Sequence, residues 1–230
     1  MCCFTGMDKG KTLGHFAPSS FVQQNTSRLQ EWEEDQKTRL KWISCFYKKR
    51  FNFLAPSLND VMLNEAKENN IPDISDCEFD KLESESPFVN KLIFTVDRFE
   101  NRIHLDNDRS TYAFGIFLPI FKNTGKLASF EDGFGSKGGE FVIPTYKCCV
   151  DFAAFNGIVE MIWRSNKDFH GTVSSEFKSD FSRIGSSAQI SENLVGRIKN
   201  LMVQKEKGIN IETRVKGLKE IVIEKLQKFQ

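Results

Sequence analysis

The period of the hydrophobic pattern changes near residue 90, and this change constrains the fold more than any other feature of the chain. Before it, apolar residues from Leu29 to Tyr47 recur mostly at helical spacing. After it, Leu92, Phe94 and Val96 alternate with polar residues, as they do on a half-buried strand. The sequence therefore predicts an α+β protein.

The expected architecture is a central antiparallel sheet of about four strands, flanked by N-terminal and C-terminal helices. Residues 166–188 are rich in serine and show little pattern. The predicted strands cover 91–98, 103–105, 111–121 and 140–150. The predicted helices after the sheet begins cover 151–163, 190–205 and 211–229.

Composition shifts along the chain predict four segments. Residues 1–26 form a flexible arm, and residues 27–87 a helical segment with an acidic connector. Residues 88–188 form a β-rich core with one helix, and residues 189–230 a C-terminal helical pair.

A glycine-rich stretch, FEDGFGSKGGEF, occupies residues 130–141. A dinucleotide-binding loop requires a helix directly after its glycines, because the helix N-terminus binds the pyrophosphate. Here Gly139 is followed by Glu-Phe-Val-Ile-Pro, which is an extended pattern. The stretch is therefore interpreted as a turn between strands that leaves a mobile contact loop.

Basic residues are concentrated in two predicted helical segments, although the net charge is only +1. Trp42, Phe46 and Tyr47 are interleaved with the first group, and cations beside aromatic rings suit single-stranded nucleic acid. The candidate nucleic-acid-binding residues are Lys37, Lys41, Lys48, Lys49, Arg50, Arg197, Lys199 and Lys205.

The primary functional hypothesis is a non-enzymatic binding or assembly protein, viral or accessory, that contacts nucleic acid or an acidic partner. One alternative is a structural protein that forms a homo-oligomer through Ile211–Phe229, whose apolar spacing resembles a short coiled-coil seam. Neither hypothesis requires a cofactor, and none is expected.

A second alternative is a cysteine-dependent enzyme in which His170 activates Cys148 or Cys149. Only three histidines are present, so the choice of a general base is narrow. No sequence spacing demands this pairing.

No metal site is expected from the sequence. Asp106 and Asp108 offer two carboxylates, and His104 and Asp97 are the nearest further ligands. Polar turns of this composition are common without a metal, so a structural turn is the preferred interpretation.

The absence of a hydrophobic signal region and of an apolar run of about 18 residues predicts a cytoplasmic protein. Six cysteines without a secreted-type framework agree with a reducing compartment. Cys2 or Cys3 could carry an acyl chain, but one chain anchors a protein only marginally.

Overall fold

The computed structural model describes residues 24–76 and 87–210 in full. It also describes the backbone of residues 3–5, 13–15 and 215–216, and the single residues Ile223, Leu226 and Gln227. The chain divides into two compact units. One comprises Met1–Lys91 with Ile190–Gln230, and the other comprises Leu92–Gln189.

Within the described ranges, the elements with defined bounds are three helices and a series of short strands. The helices are α1 Thr26–Leu54, α2 Pro56–Glu68 and α3 Glu192–Glu206. The strands are β1 Cys3–Thr5, β2 Leu13–His15, β3 Lys91–Val96, β4 Asn101–His104, β5 Ala113–Phe121, β6 Ser136–Gly138, β7 Phe141–Ile143, β8 Cys148–Val150, β9 Val159–Trp163, β10 His170–Thr172, β11 Ser175–Phe177, β12 Phe181–Gln189 and β13 Val215–Lys216.

The first unit is mainly helical. The Asn25 side chain caps α1 by accepting a hydrogen bond from the Arg28 amide at 3.1 Å, and Pro56 begins α2, where a missing N–H costs nothing. Phe51 of α1 is fully buried and packs on Phe88 with ring centroids 5.7 Å apart. In the same unit β1 pairs antiparallel with β2, and β13 pairs parallel with β2. No helix in the described part of the chain is long and apolar enough to span a membrane.

The second unit contains two four-stranded sheets and a two-stranded ribbon. One sheet has the order β3-β12-β5-β9, and the other has the order β4-β10-β7-β8. In the second of these sheets every pairing is antiparallel. β11 and β6 form the ribbon. A cluster containing Ala113, Phe141, Phe152 and Trp163 forms part of the core of this unit.

The α+β prediction is confirmed in its coarse form, because helices and antiparallel sheets are both present. The estimate of about four strands is too low. Residues 166–188, which showed little pattern, contain β10, β11 and most of β12. Seven of the nine residues of β12 are buried, so its sequence lacks the alternation that marks a strand with one wet face.

The prediction of a helix over 151–163 is wrong. The segment holds a single 3₁₀ turn at Phe152–Ala154 and then the strand β9. Gly157 separates them with φ +130°, a backbone conformation that ends any helix. The predicted strand over 140–150 is likewise interrupted, by a 3₁₀ turn at Pro144–Tyr146.

The C-terminal helix α3 is confirmed. The second C-terminal helix, predicted over 211–229, lies largely outside the described residues. Of the described ones, Val215–Lys216 form a strand, whereas Ile223, Leu226 and Gln227 are helical. The coiled-coil interface at Ile211–Phe229, the flexible arm and acylation at Cys2 or Cys3 also fall mainly on residues outside the description. The four-segment division and the cytoplasmic location stay predictions.

Candidate metal centre

Two histidines face each other across adjacent strands. His104 of β4 and His170 of β10 are direct partners in the antiparallel register, and residues opposite each other project to the same face of a sheet. Their ring centroids are 4.5 Å apart. The sheet therefore sets the two imidazoles side by side, although 65 residues separate them in sequence.

Asp106 joins this pair from the chain just beyond β4. The backbone there continues to pair, since the Asp106 amide donates to the Ser165 carbonyl at 2.9 Å. A residue two positions after His104 on an extended chain projects to the same face. Asp106 Oδ1 lies 3.2 Å from His104 Nε2, and Oδ2 lies 3.6 Å from His170 Nε2. One ligand atom from each of the three residues lies within 4.8 Å of the others.

Backbone carbonyls fix the tautomers of both rings. His104 Nδ1 is 2.7 Å from the Arg102 carbonyl oxygen, and His170 Nδ1 is 2.9 Å from the Asp168 carbonyl oxygen. Because a carbonyl only accepts, each Nδ1 carries the hydrogen and each neutral ring presents the lone pair of Nε2. A lone pair held against a carboxylate requires a proton or a metal cation between them. Two imidazole nitrogens and one carboxylate form the facial donor set typical of non-haem Fe(II).

His170 is enclosed by aromatic rings. It stacks on Phe141 at 5.5 Å and meets the edge of Trp163 at 5.9 Å. Burial is the largest influence on the pKa of His170 and lowers it. The Asp106 carboxylate and the Asp168 carbonyl together outweigh burial, and the pKa is raised above its ordinary value. The site thus favours a cation at this ring.

Gly171 allows β10 to approach β4 closely beside the histidines. A Cβ at this position would lie 2.9 Å from the Asn101 carbonyl oxygen and 3.2 Å from Arg102 backbone carbon. Any larger residue would push the two strands apart. The glycine therefore protects the spacing between His104 and His170.

An ion pair anchors the loop that leads into β10. Arg164 Nε donates to Asp168 Oδ2 at 2.9 Å and Arg164 Nη2 to Oδ1 at 2.7 Å, while the Tyr146 hydroxyl donates to Oδ1 at 3.0 Å. The hydrogen bonds from Arg164, above all, lower the pKa of Asp168. The carbonyl of the same aspartate orients His170, so this cluster positions a candidate metal ligand.

The three residues line a cavity of about 150 Å³ within the second unit. Its walls include Phe117, Phe141 and Trp163, and its polar groups include Arg183 and Gln189. Apolar walls with a few converging polar groups are typical of a binding site for a small molecule.

Arg183 is a buried cation in this cavity. Its side chain stacks over the Phe152 ring at 4.5 Å, and Nη2 donates to the Gly139 carbonyl at 2.9 Å. In the described part of the chain, Nη1 has no hydrogen-bond partner. Burial lowers the pKa of Arg183 to about 10, against the opposing charges of Glu140 and Asp151. The group remains cationic at neutral pH and is suited to an anionic ligand.

The glycine-rich stretch is built around this arginine. Gly139 has φ +84°, and a Cβ there would lie 2.8 Å from Arg183 Nη2 and 2.7 Å from Ser175 Cβ. No helix follows it, since β7 begins at Phe141. The stretch is not a phosphate-binding loop at a helix N-terminus, and its ribbon strand β6 pairs with β11.

The basic residues singled out in the sequence lie elsewhere, on helices of the first unit. Lys37, which pairs with Glu33 at 2.7 Å, lies on α1 with Lys41, Lys48, Lys49 and Arg50. Arg197, Lys199 and Lys205 lie on α3. A role for these eight residues in nucleic-acid binding stays a prediction.

The pairing of His170 with Cys148 or Cys149 is wrong. Both thiols are exposed on β8, whereas His170 is buried and its ring nitrogens face Asp106 and the Asp168 carbonyl. The His170 imidazole therefore interacts with the Asp106 carboxylate and not with a thiol.

The expectation that Asp106 and its neighbours form only a structural turn also requires correction, because the turn supplies a candidate metal ligand. Sequence reasoning paired Asp106 with Asp108 and missed His170. The available signal was His104-x-Asp106 at a spacing of two on a strand. His170, the third candidate ligand, gave no such signal, because only the pairing of β10 with β4 brings it next to His104.

The comparison with protein-family models agrees with this geometry. The sequence model of the Tet-like 2OG-Fe(II) oxygenase superfamily matches residues 2–175, which include all three candidate ligands. No curated protein matches the chain. A similar solved structure is NgTET1 in complex with 5mC DNA, with 17% sequence identity and a TM-score of 0.43. That match covers 77% of this chain and 61% of the NgTET1 chain.

These findings overturn the main functional hypothesis drawn from the sequence. An interpretation as a non-enzymatic, viral or RNA-binding assembly protein is wrong, because an oxygenase family matches the chain and three residues that could hold a metal ion lie together. The match extends over well more than half of the 230 residues. The chain belongs to the Tet-like 2OG-Fe(II) oxygenase superfamily.

Proposed function

We propose that the protein is an oxygenase that uses Fe(II) and 2-oxoglutarate. The observation that carries this proposal is the convergence of His104 Nε2, His170 Nε2 and the Asp106 carboxylate at one point of the cavity. His104, Asp106 and His170 would hold the iron, and Arg183 would bind a carboxylate of 2-oxoglutarate.

The donor set fits Fe(II). Both Nδ1 atoms are engaged by carbonyls, so the Nε2 lone pairs are available without a change of tautomer. Asn101 Nδ2 also lies 3.4 Å from His104 Nε2, and an amide N–H at that distance agrees with an unprotonated Nε2. Three protein ligands leave coordination positions for small molecules.

The cavity also fits a dicarboxylate. Arg183 is 7% exposed, and no described carboxylate forms an ion pair with it. A buried cation without a paired anion is costly, and a ligand carboxylate would compensate for it through the unpartnered Nη1. Phe152, below the guanidinium, holds it in place.

Bound together, Fe(II) and 2-oxoglutarate would supply the electrons that reduce dioxygen: 2-oxoglutarate would lose CO₂ and become succinate, and the substrate would be oxidised. The residues of this chain bind and orient these groups. Phe141 and Trp163 cover the buried side of His170 and exclude water from it.

Turnover of 2-oxoglutarate tests the proposal. Purified protein with Fe(II), 2-oxoglutarate and dioxygen is expected to form succinate, and H170A and D106A are expected to abolish its formation. C149A serves as the matched control, because it alters an exposed thiol on the same sheet and should retain turnover. Succinate formation by H170A at the wild-type rate would contradict the proposal.

Contact with single-stranded nucleic acid through α1 is a separate proposal. Residues 37–54 contain six basic residues and no acid. On the same helix Trp42 is 66% exposed and stacks on Phe46 at 5.3 Å, so cations and an open ring face lie together. Binding to a single-stranded oligonucleotide should weaken steeply with added salt and in the double variant K41E/K49E. Lack of binding in dilute buffer would end this proposal.

A further inference from the structure

Gln189 links the end of strand β12 to Asp106, the candidate metal ligand that follows strand β4. It is the last residue of β12, it is 2% exposed, and it lines the cavity. Its Nε2 donates to Asp106 Oδ2 at 2.8 Å. The residue lies beyond the portion of the chain that the family match covers.

The chemistry of the partner fixes the orientation of this amide. An ionised carboxylate only accepts hydrogen bonds, so the NH₂ group of Gln189 must face Asp106. The opposite end of the amide, Oε1, is buried and has no partner in the described part of the chain. The NH₂ end of the Gln189 side chain is thus hydrogen-bonded to Asp106, and the Oε1 end is an acceptor without a described partner at the cavity.

We propose that Gln189 is a positioning residue of the metal centre. Its hydrogen bond occupies Asp106 Oδ2 and fixes the rotation of the carboxylate, which leaves Oδ1 directed at His104 Nε2. The carboxylate then offers the metal one oxygen in a fixed direction rather than two in a variable one. This inference rests on the proposed metal site and adds the group that orients its only acidic ligand.

The surroundings favour this role over simple packing. Asp106 comes from the chain beyond the end of β4. The hydrogen bond from its amide to the Ser165 carbonyl fixes its backbone, and the hydrogen bond from Gln189 acts on its side chain. Hydrogen bonds to metal ligands typically change metal affinity by about 10–100-fold. A packing residue of the same volume would not have this effect.

Metal titration of the full chain tests the proposal, with Co(II) alone as the probe and a competing chelator as the reporter. Q189L removes the donor but retains the approximate volume. Q189N retains the amide but shortens it beyond reach of Asp106. Both variants should bind Co(II) about 10–100-fold more weakly than the wild type. The visible absorption of bound Co(II) should also change, because the carboxylate is free to rotate.

Q36L is the matched control, since Gln36 is likewise buried with an unpartnered Oε1 but lies on α1 in the other unit. It should leave Co(II) affinity unchanged. Thermal unfolding of each metal-free variant shows whether it folds. If wild type and Q189L bind Co(II) equally, Gln189 is not a positioning residue. If the wild type fails to bind Co(II), the metal site itself is wrong, which is a distinguishable result.

Discussion

At the scale of single residues, the cavity is defined by groups whose polar atoms are incompletely satisfied. Arg183 Nη1 and Gln189 Oε1 are both buried without a described partner. Buried polar groups are normally paired, so such atoms at a cavity wall indicate where a ligand binds. They complement the histidine–aspartate cluster, whose lone pairs require a cation.

Replacing Arg183 tests whether this residue binds 2-oxoglutarate. R183M removes a buried charge that has no described carboxylate partner, and methionine covers similar apolar surface. We expect 2-oxoglutarate to raise the melting temperature of the metal-loaded wild type and to have no such effect on R183M. R39M, which changes an exposed arginine of α1, is the control for loss of a positive charge. Equal stabilisation of wild type and R183M would contradict the assignment.

Gly139 gives a test of steric fit. G139A would combine a left-handed backbone at φ +84° with contacts of 2.7–2.9 Å to Ser175 and Arg183, and should reduce the free energy of unfolding by about 1–3 kcal/mol. Gly125 has a similar φ of +67° but nothing within 4 Å. G125A should therefore reduce the free energy of unfolding only through its left-handed backbone conformation, by about 1 kcal/mol. Denaturant unfolding compares the two variants.

At the scale of elements, the loop between β9 and β10 matters because it carries the carbonyl that orients His170. Asp168 fixes this loop through Arg164 and Tyr146. The element is short and polar, and its order comes from side chains rather than from a ladder of backbone hydrogen bonds.

The pH dependence of stability should reveal this anchor. The pKa of Asp168 is lowered in the folded protein, chiefly by Arg164, so its contribution is present above the unfolded pKa and is lost as the pH falls through the folded value. The melting temperature of D168N should lie below that of the wild type at neutral pH, and the gap should close in acid. D180N, at an exposed aspartate, is the control. A gap that stays constant with pH would exclude this role.

At the scale of the whole molecule, the division into helical and strand-rich parts followed from hydrophobic period, but the site did not. Local alternation located β3 and β5, although neither strand has one buried face and one exposed face along its length. It failed for β12, which is buried nearly throughout, and for β9, whose apolar spacing imitates a helix. The metal centre depends on the pairing of β4 with β10. Such long-range register has no local signature, so Asp106 was assigned to a turn and His170 to a thiol.

Metal affinity should depend on pH for the same geometric reason. A proton and a metal compete for His170 Nε2, and the pKa of His170 is raised. Affinity for Co(II) should therefore fall as the pH decreases through this raised pKa, because the imidazolium cannot coordinate. Titration of Co(II) across a series of buffers measures this change. An affinity independent of pH between about 8 and 5 would be inconsistent with imidazole coordination.

β4 is the outermost strand of its sheet, and it carries His104 while its neighbour β10 carries His170. A metal ion bound by both histidines would cross-link the edge strand β4 to its neighbour β10. Removal of the metal by a chelator would then destabilise this edge strand first. Amide hydrogen exchange in Asn101–His104 would accelerate well before the remainder of the sheet opens.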